Sequence, residues 1–429
     1  MTNQRLETLT IHAGCEPDPT TNARITPIYQ TASYVFDSPE HAANLFSLAE
    51  FGNIYSRIMN PTNDVLEKKI AALEGGVGAL AVASGHAAQL IVFHTLMEPG
   101  CNIVAAKKLY GGSLNQMNEA FRKFGWETRF VDADDPANVA AAMDDKTRCV
   151  FIESLANPGG VVSDIAAIAD VAHAGGVPLI VDNTMASPAL CRPFEHGADI
   201  VVHSLTKFLN GHGNSIGGVI VDSGKFGWKA QGDKYPSLTR PNGSYHGAVL
   251  VDALEPVGPI AFIIGCRVLG LRDLGPAMAP MNAWLALTGM ETLALRMERH
   301  CSNALAVAEW LRAHPKVDWV SYAGLADDKY KPLADKYLSG KGGAVFTFGL
   351  KGGYDAGKAL VSNVKLFSHL ANIGDTRSLI IHPASTTHSQ LDEQGLKAAG
   401  AGPDVVRLSV GIEHIDDIIA DLAQALDQI

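Results

Sequence analysis

The stretch VPLIVDNTMASPALCRPFEHGADIVVHSLTKFLNGHG, residues 177–213, holds two short apolar runs, each followed at once by polar residues and a turn. VPLIVD (177–182) and DIVVH (199–203) are hydrophobic without interruption rather than at alternate positions, as in strands covered on both faces of a parallel sheet. The same texture recurs at NIVAA (102–106), RCVFIE (148–153) and GGVIVD (217–222). Helical stretches such as SDIAAIADVAHAGG lie between such runs. This alternation predicts an α/β doubly wound domain.

Outward from that core the plan changes twice. Residues 1–60 are irregular and rich in Thr, Pro and Asn, which reads as an arm. From Pro61, Val65, Leu66, Ile70 and Leu73 mark a helical stripe in PTNDVLEKKIAALEGG, closed by Gly75 and Gly76. Residues from about 223 to 265 break the rhythm with Gly, Pro, Trp and Tyr, the mark of an insertion carrying loops. A helix from roughly 290 to 313 leads to GAVFTFGL and VVRLSVGIE, read as strands, with helices around 354–363 and 415–428. The expected organisation is an arm (1–60), a large domain (61–289) and a smaller C-terminal α+β domain (290–429).

A chain of 429 residues can bury a large core and should hold two or more domains. Its hydrophobic share of 47% against 18% charged residues is that of an ordinary globular protein. The formal charge of −11 argues against nucleic acid as a partner and against a polybasic membrane patch. Six scattered cysteines include no C-x-x-C pair, which speaks against zinc ribbons and suits a reducing cytosol. The polar start, MTNQRLETLT, lacks the apolar stretch of a secretory signal, and no apolar run reaches membrane-spanning length. A soluble, cytoplasmic protein is expected.

The chemistry centres on HSLTKFLNGHG, where Lys207 follows a buried strand by a few residues. Alone, such a lysine reads as a solvated loop cation. VDNT, however, places Asp182 at the C-terminal end of another apolar strand, where open α/β sheets bind ligands. Pyridoxal 5'-phosphate requires an amine to form an imine, a carboxylate to keep its pyridine nitrogen protonated, an anion cradle and an aromatic cover. Lys207 and Asp182 supply the first two. Ser84, Gly85 and His86 in VASGHAAQLIVF stand where a helix should begin, and a helix N-terminus favours a phosphate; a plain Ser cap is the alternative. Ser204 and Thr206 flank the lysine as further donors, and Tyr110 in KKLYGG could stack on the ring or simply pack. Gly76, Gly78 and Ala81 fit G-x-G-x-x-A, but a helix precedes them where a dinucleotide motif needs a strand. His203 and His212 lack companions at metal-ligand spacing, so no metal is expected.

Taken together, YSRIMNPTNDVLEKKIAALEGG, VDNTMASP and HSLTKFLNGHGNSIGG resemble the Cys/Met-metabolism family of pyridoxal-phosphate enzymes, and the resemblance covers nearly the whole chain. It implies the aspartate-aminotransferase-like fold (fold type I), with a mostly parallel large-domain sheet. Lys207 would carry the cofactor and Asp182 would face its pyridine nitrogen, with Ser84, Gly85, His86, Ser204 and Thr206 serving the phosphate. Tyr55 and Arg57 of the YSR motif would reach the phosphate of a neighbouring subunit, giving shared active sites in a homotetramer built as a dimer of dimers. Tyr110 would stack on the ring, and Asn157 in SLANPGG would bond its phenolic oxygen. Arg407 in VVRLSVG would clamp the substrate carboxylate, with Tyr55, Asn157 and Ser368 also at the substrate. Lys207, Tyr110 and Tyr55 would take part in catalysis.

Within the family, SGHAAQ, KKLYGGS and SHLANIGDTRSLIIHPASTTH are similar to the branch that replaces the acetate of O-acetyl-L-homoserine with sulfide or a small thiol. Gly112 stands where methionine γ-lyases place a cysteine, and cystathionine γ-synthases are shorter and lack the insertion. His86 departs from the methionine common in the family, although a backbone N–H is what that position offers. Open alternatives are cystathionine γ-synthesis, O-succinylhomoserine sulfhydrylation and γ-elimination. In another class stands a non-catalytic scaffold, which would need none of these groups together.

Overall fold

Buried apolar runs pair to form the centre of the molecule. The computed structural model describes residues 4–157, 160–387, 389, 396 and 400–429. Pro158 and Gly159 of SLANPGG, and His388 at the end of SHLANIGDTRSLIIHPASTTH, lie outside the described residues. Strands β1 (Gly78–Val82), β2 (Asn102–Ala106), β3 (Glu127–Val131) and β4 (Thr147–Glu153) are followed by a small hairpin of β5 (Leu155–Ala156) and β6 (Val161–Val162). β7 (Leu179–Asp182), β8 (Ile200–Ser204) and β9 (Gly218–Asp222) complete a seven-stranded sheet in the order β1-β9-β8-β7-β4-β2-β3.

From β8 to β3 all neighbours are parallel, whereas β9 runs antiparallel to both β1 and β8. GGVIVD is thus a fully covered strand of the opposite direction: continuous hydrophobicity reports burial on two faces, not strand polarity. Full burial of Val181, Ile180 or Ile220 stabilises the sheet by roughly 1.5–3 kcal/mol each. β1 and β3 escape the reading by hydrophobic runs. GALAV follows a glycine pair and itself opens on glycine, and ETRFV lies at the sheet edge with three polar residues before its two apolar ones. Gly78 and Ala81 sit within β1, so the glycine pattern there opens no helix.

The helix read from PTNDVLEKKIAALE spans Pro61–Glu74. Asn60 caps it by accepting from Thr62 N, Pro61 occupies its first turn, and Gly75 ends it in the left-handed region at φ 80°. Leu66, Ile70 and Leu73 are fully buried, as the stripe requires. The segment before it is less irregular than expected, with helices at Leu6–His12 and Pro39–Phe46. Buried Lys69 fastens the first of these, its ammonium donating to Thr10 O and Ile11 O.

Residues 223–265 also differ from expectation. They fold into short helices rather than open loops, packed on one another where Trp228 stacks on Phe262 with ring centroids 5.2 Å apart, and tied to β4 by Tyr235, whose hydroxyl donates to Arg148 O at 2.9 Å. Aromatic residues that read as loop punctuation are packing groups there.

A second sheet follows, formed by β10 (Val317–Ser321), β11 (Val345–Leu350), β12 (Ser368–His369), β13 (Leu379–Ile381) and β14 (Val405–Ser409) in the order β10-β11-β14-β13-β12. The 21-residue helix Leu293–Ala313 joins the two bodies. Its Leu293 and Met297 belong to the large core, and its Val307 and Leu311 to the smaller one. Among the described residues, no helix is long and apolar enough to cross a membrane.

Candidate active site

Parallel pairing of β7 and β8 brings their C-terminal ends together, with Asp182 opposite Val202. Asp182 ends β7, Ser204 ends β8, and Lys207 sits in the turn three residues on. That turn is held from below by Arg296, which donates to Phe208 O at 2.8 Å and Leu209 O at 3.3 Å. Lys207 Nζ donates to Asn372 Oδ1 at 2.5 Å. Burial, and after it the charge of Arg407, pull the amine down to about 8. About a tenth of it is therefore neutral and nucleophilic at pH 7, far more than of an ordinary lysine.

Arg407 comes from the centre of the second sheet, on β14 between β11 and β13. Its guanidinium donates to Asn157 Oδ1 and to Asn372 O, each at 3.2 Å. Burial lowers it to about 10, so it stays a cation throughout the working range, and Tyr110 opposes that shift. Asn372 reaches the lysine because Gly374, at φ 74°, lets the chain graze Phe208: a Cβ there would lie 2.7 Å from Phe208 N.

Asp182 is half-buried at the end of β7. Its Oδ1 accepts from Thr184 N at 2.9 Å, and Gln89 Nε2 reaches Oδ2 at 3.4 Å. Burial raises its proton affinity, against those hydrogen bonds from Thr184. Beside it, Glu153 pairs in register with Asp182 and is only 4% exposed. Burial and then the charge of Asp182 push Glu153 well above the usual carboxylate range.

Helix Gly85–Leu96 starts at this same edge. Ser84 caps it through Ala87 N at 3.1 Å, so the plain capping role is real. The first-turn amides of Gly85 and His86 precede the helix's own hydrogen-bond ladder and remain donors for an anion. Gly85 permits the docking: a Cβ would meet Ser204 Cβ at 2.9 Å. Thr206 Oγ1 is bonded to Gly217, and Ser204 N donates to Thr184 Oγ1. Tyr110 is half exposed beside His86, edge to face with centroids 6.0 Å apart.

The structure therefore gathers Lys207, Asp182, Ser84, Gly85, His86, Tyr110, Asn157, Ser204, Thr206 and Arg407 around the sheet's C-terminal edge. Three other expected residues stand apart. Tyr55 and Arg57 lie on the N-terminal arm with the guanidinium 5.2 Å from the tyrosine ring, and among the described hydrogen bonds neither joins the Lys207 group. Ser368 lies on edge strand β12, where its N–H donates to Ser378 O. His203 bonds buried Glu74, and His212 bonds Asn210 O, both structural contacts. Glu153, Gln89, Asn372 and Arg296 were not singled out from the sequence. Glu153 ends an apolar strand just as Asp182 does, a signal that could have found it, whereas Asn372 lies in an irregular segment with none.

These groups fit a pyridine ring bearing an aldehyde and a phosphate. Asp182 has no ion-pair partner among the described residues, the amine is half neutral near pH 8, and a glycine opens the helix at the cradle. Residues 7–427 match the model of the Cys/Met metabolism PLP-dependent enzyme family. The chain belongs to that family. Pyridoxal phosphate is accordingly its cofactor, and the protein is an enzyme. The chain is 54% identical to the O-acetyl-L-homoserine sulfhydrylase of Leptospira meyeri, covering 100% of this chain and 98% of the relative. It is 55% identical to O-acetyl-L-homoserine sulfhydrylase 1 of Thermus thermophilus, over 98% and 100% of the two chains. A solved Campylobacter jejuni chain, described as a candidate O-acetylhomoserine (thiol)-lyase carrying N'-pyridoxyl-lysine-5'-monophosphate, superposes with a TM-score of 0.94 at 40% identity, covering 99% of this chain and 100% of the other. The aspartate-aminotransferase-like fold, with its mostly parallel large sheet and smaller C-terminal sheet, agrees with that likeness.

Proposed function

We propose that this protein catalyses γ-replacement: O-acetyl-L-homoserine and sulfide give L-homocysteine and acetate. The observation that carries this reading is the meeting of Lys207 and Arg407 on Asn372, beside the paired strand that ends in Asp182, in a chain similar over its full length to relatives named for this substrate. Pyridoxal phosphate supplies an aldehyde for amines to condense with and a ring that accepts electrons from the substrate's α-carbon.

The chain's own residues do the rest. Asp182 holds a proton on the ring nitrogen. Gly85 and His86 offer amides, and Ser204 and Thr206 hydroxyls, to the phosphate. Arg407 grips the substrate carboxylate with its two-pronged cation, oriented by Asn157 and Asn372. Lys207 Nζ would hold the cofactor's aldehyde carbon and, as a free amine, would take the α-proton and return protons at neighbouring carbons, a role its depressed basicity suits. Tyr110 covers the ring and helps orient the leaving acetate. One C–O bond breaks, one C–S bond forms, and acetate leaves with the electron pair.

The arm (1–60) belongs to assembly in this reading. Tyr55 and Arg57 serve the phosphate of a neighbouring copy, within a homotetramer that is a dimer of dimers. Exposed Ile25, Val35, Phe46 and Phe51 along the arm support a covering partner, since Val35 is 95% exposed in the single chain. Six free thiols, five of them buried, suit a cytoplasmic setting.

The deciding experiment is a steady-state comparison of O-acetyl- and O-succinyl-L-homoserine with sulfide, with cysteine and without thiol. Homocysteine formation fastest from the acetyl ester with sulfide is expected. Preference for the succinyl ester, for cysteine, or for 2-oxobutyrate release without thiol would assign a sibling chemistry instead.

A further inference from the structure

Glu153 has no place in the chemistry just described, yet it touches two of the residues that do. Its Oε1 accepts from Tyr110 N at 2.6 Å and its Oε2 accepts from Asn157 N at 3.2 Å. Its own main-chain carbonyl is held by Ser163 Oγ at 2.7 Å, and strand pairing sets it beside Asp182. We propose that Glu153 is a positioning residue, whose single carboxyl group fixes the backbones of Tyr110 and Asn157 at the rim of the cofactor cleft. This inference rests on the cofactor reading above.

The physical case starts from an apparent extravagance. A carboxyl group buried without a cation is unfavourable, and the charge of Asp182 beside it adds repulsion. An apolar side chain would suit the end of β4 better by packing alone. What the carboxyl adds is two acceptor oxygens on one rigid fork, each satisfying a main-chain N–H that would otherwise be left at a loop. Tyr110 needs such an anchor, because its half-exposed side chain makes no capping bond to the helix Gly111–Asn115 that it precedes. Asn157 needs one too: its side-chain oxygen orients Arg407, so any slack in its backbone passes to the guanidinium. One buried group thereby links the aromatic cover, the carboxylate clamp and, through the sheet, the ring-facing Asp182.

The test uses the full chain as wild type, Glu153→Gln, Glu153→Asp and Ser163→Ala. Amide hydrogen exchange at Tyr110 and Asn157 is read in protein stripped of cofactor. Cofactor Kd, kcat and KM are read in loaded protein. Glu153→Gln turns one acceptor into a donor facing an N–H, so exchange at one or both amides should quicken by about tenfold while neighbouring β4 amides hold. Its kcat/KM should fall by roughly 10- to 100-fold, the scale of a small misplacement at a reacting centre. Glu153→Asp, too short to reach both amides, should fall between Gln and wild type. Ser163→Ala loosens the same strand end without touching the carboxyl and should stay near wild type. Wild-type exchange at both amides in Glu153→Gln, or an equal loss in Ser163→Ala, would overturn the proposal. If the Gln variant does not fold, the same judgement passes to Glu153→Asp, where wild-type exchange at both amides is the refuting result. Failure of the wild-type protein to bind pyridoxal phosphate would sink the cofactor reading instead, and leave the exchange result to be judged separately.

Discussion

Lys207 and Arg407 share a single neighbour, Asn372: the lysine donates to its side-chain oxygen and the arginine to its main-chain carbonyl. The two cations reach the cleft from different sheets, and this asparagine sets the spacing between the amine and the carboxylate clamp.

Because the two contacts use different atoms of Asn372, they can be separated. Asn372→Ala removes the acceptor for Lys207 but keeps the carbonyl that Arg407 uses. The expected result is a kcat lowered by a few-fold to about tenfold, the scale of one hydrogen bond, with KM for the amino-acid substrate nearly unchanged. A variant whose KM rises while kcat holds would contradict this division of labour.

The amine of Lys207 is lowered by burial to about 8, and the cation of Arg407 adds to the shift. Only its neutral form can condense with an aldehyde, so the rate at which stripped protein takes up pyridoxal phosphate should climb with pH and level off above about 8. An unperturbed lysine would titrate near ~10.4. The folded value lies below the unfolded one, so the unfolded chain binds the proton that the folded chain has released. Stability of the stripped protein should therefore rise with pH between about 8 and the ordinary lysine value. Lys207→Ala should abolish both the uptake kinetics and that slope, and a titration midpoint left near 10 would contradict the burial argument.

Asp182→Asn replaces a carboxylate with a neutral amide of the same shape. Thr184 N keeps an acceptor in the amide oxygen, and Gln89, whose Oε1 has no partner among the described residues, can turn that oxygen to the new amide N–H, so the fold and cofactor retention should persist. Without the anion the ring nitrogen loses its proton, and kcat should drop by about 10²- to 10³-fold, the scale for removing one electrostatic partner from a reacting centre. Stopped-flow and steady-state kinetics on cofactor-loaded variant check this, and turnover within a few-fold of wild type would count against Asp182 as the ring partner.

Gly85→Ala probes the cradle. The added Cβ would lie 2.9 Å from Ser204 Cβ and 3.2 Å from Ser204 Cα, so the helix start must shift. Overpacking of this kind costs roughly 1–3 kcal/mol. Cofactor affinity should fall along with the melting temperature, as measured by dialysis and by thermal unfolding. Full retention of the cofactor at low pyridoxal phosphate would show that the close approach of helix and strand is not needed.

Much of the molecule was legible before folding. The double-faced burial of β2, β4, β7, β8 and β9, the Pro61 start and Gly75 stop of one helix, and the strand-end positions of Asp182 and Lys207 are all written locally, in hydrophobic texture and turn residues. Local texture reports whether a segment is covered and where it turns. It carries no information about which segment covers it. The reversed direction of β9 and the packed helices of residues 223–265 were therefore decided only by tertiary contacts. So were the meeting of Lys207 with Asn372, 165 positions away, and of Arg407 with Asn157, 250 positions away. A side chain's partner across such separations depends on how two sheets dock, which is set by the summed burial of many residues rather than by the residue itself.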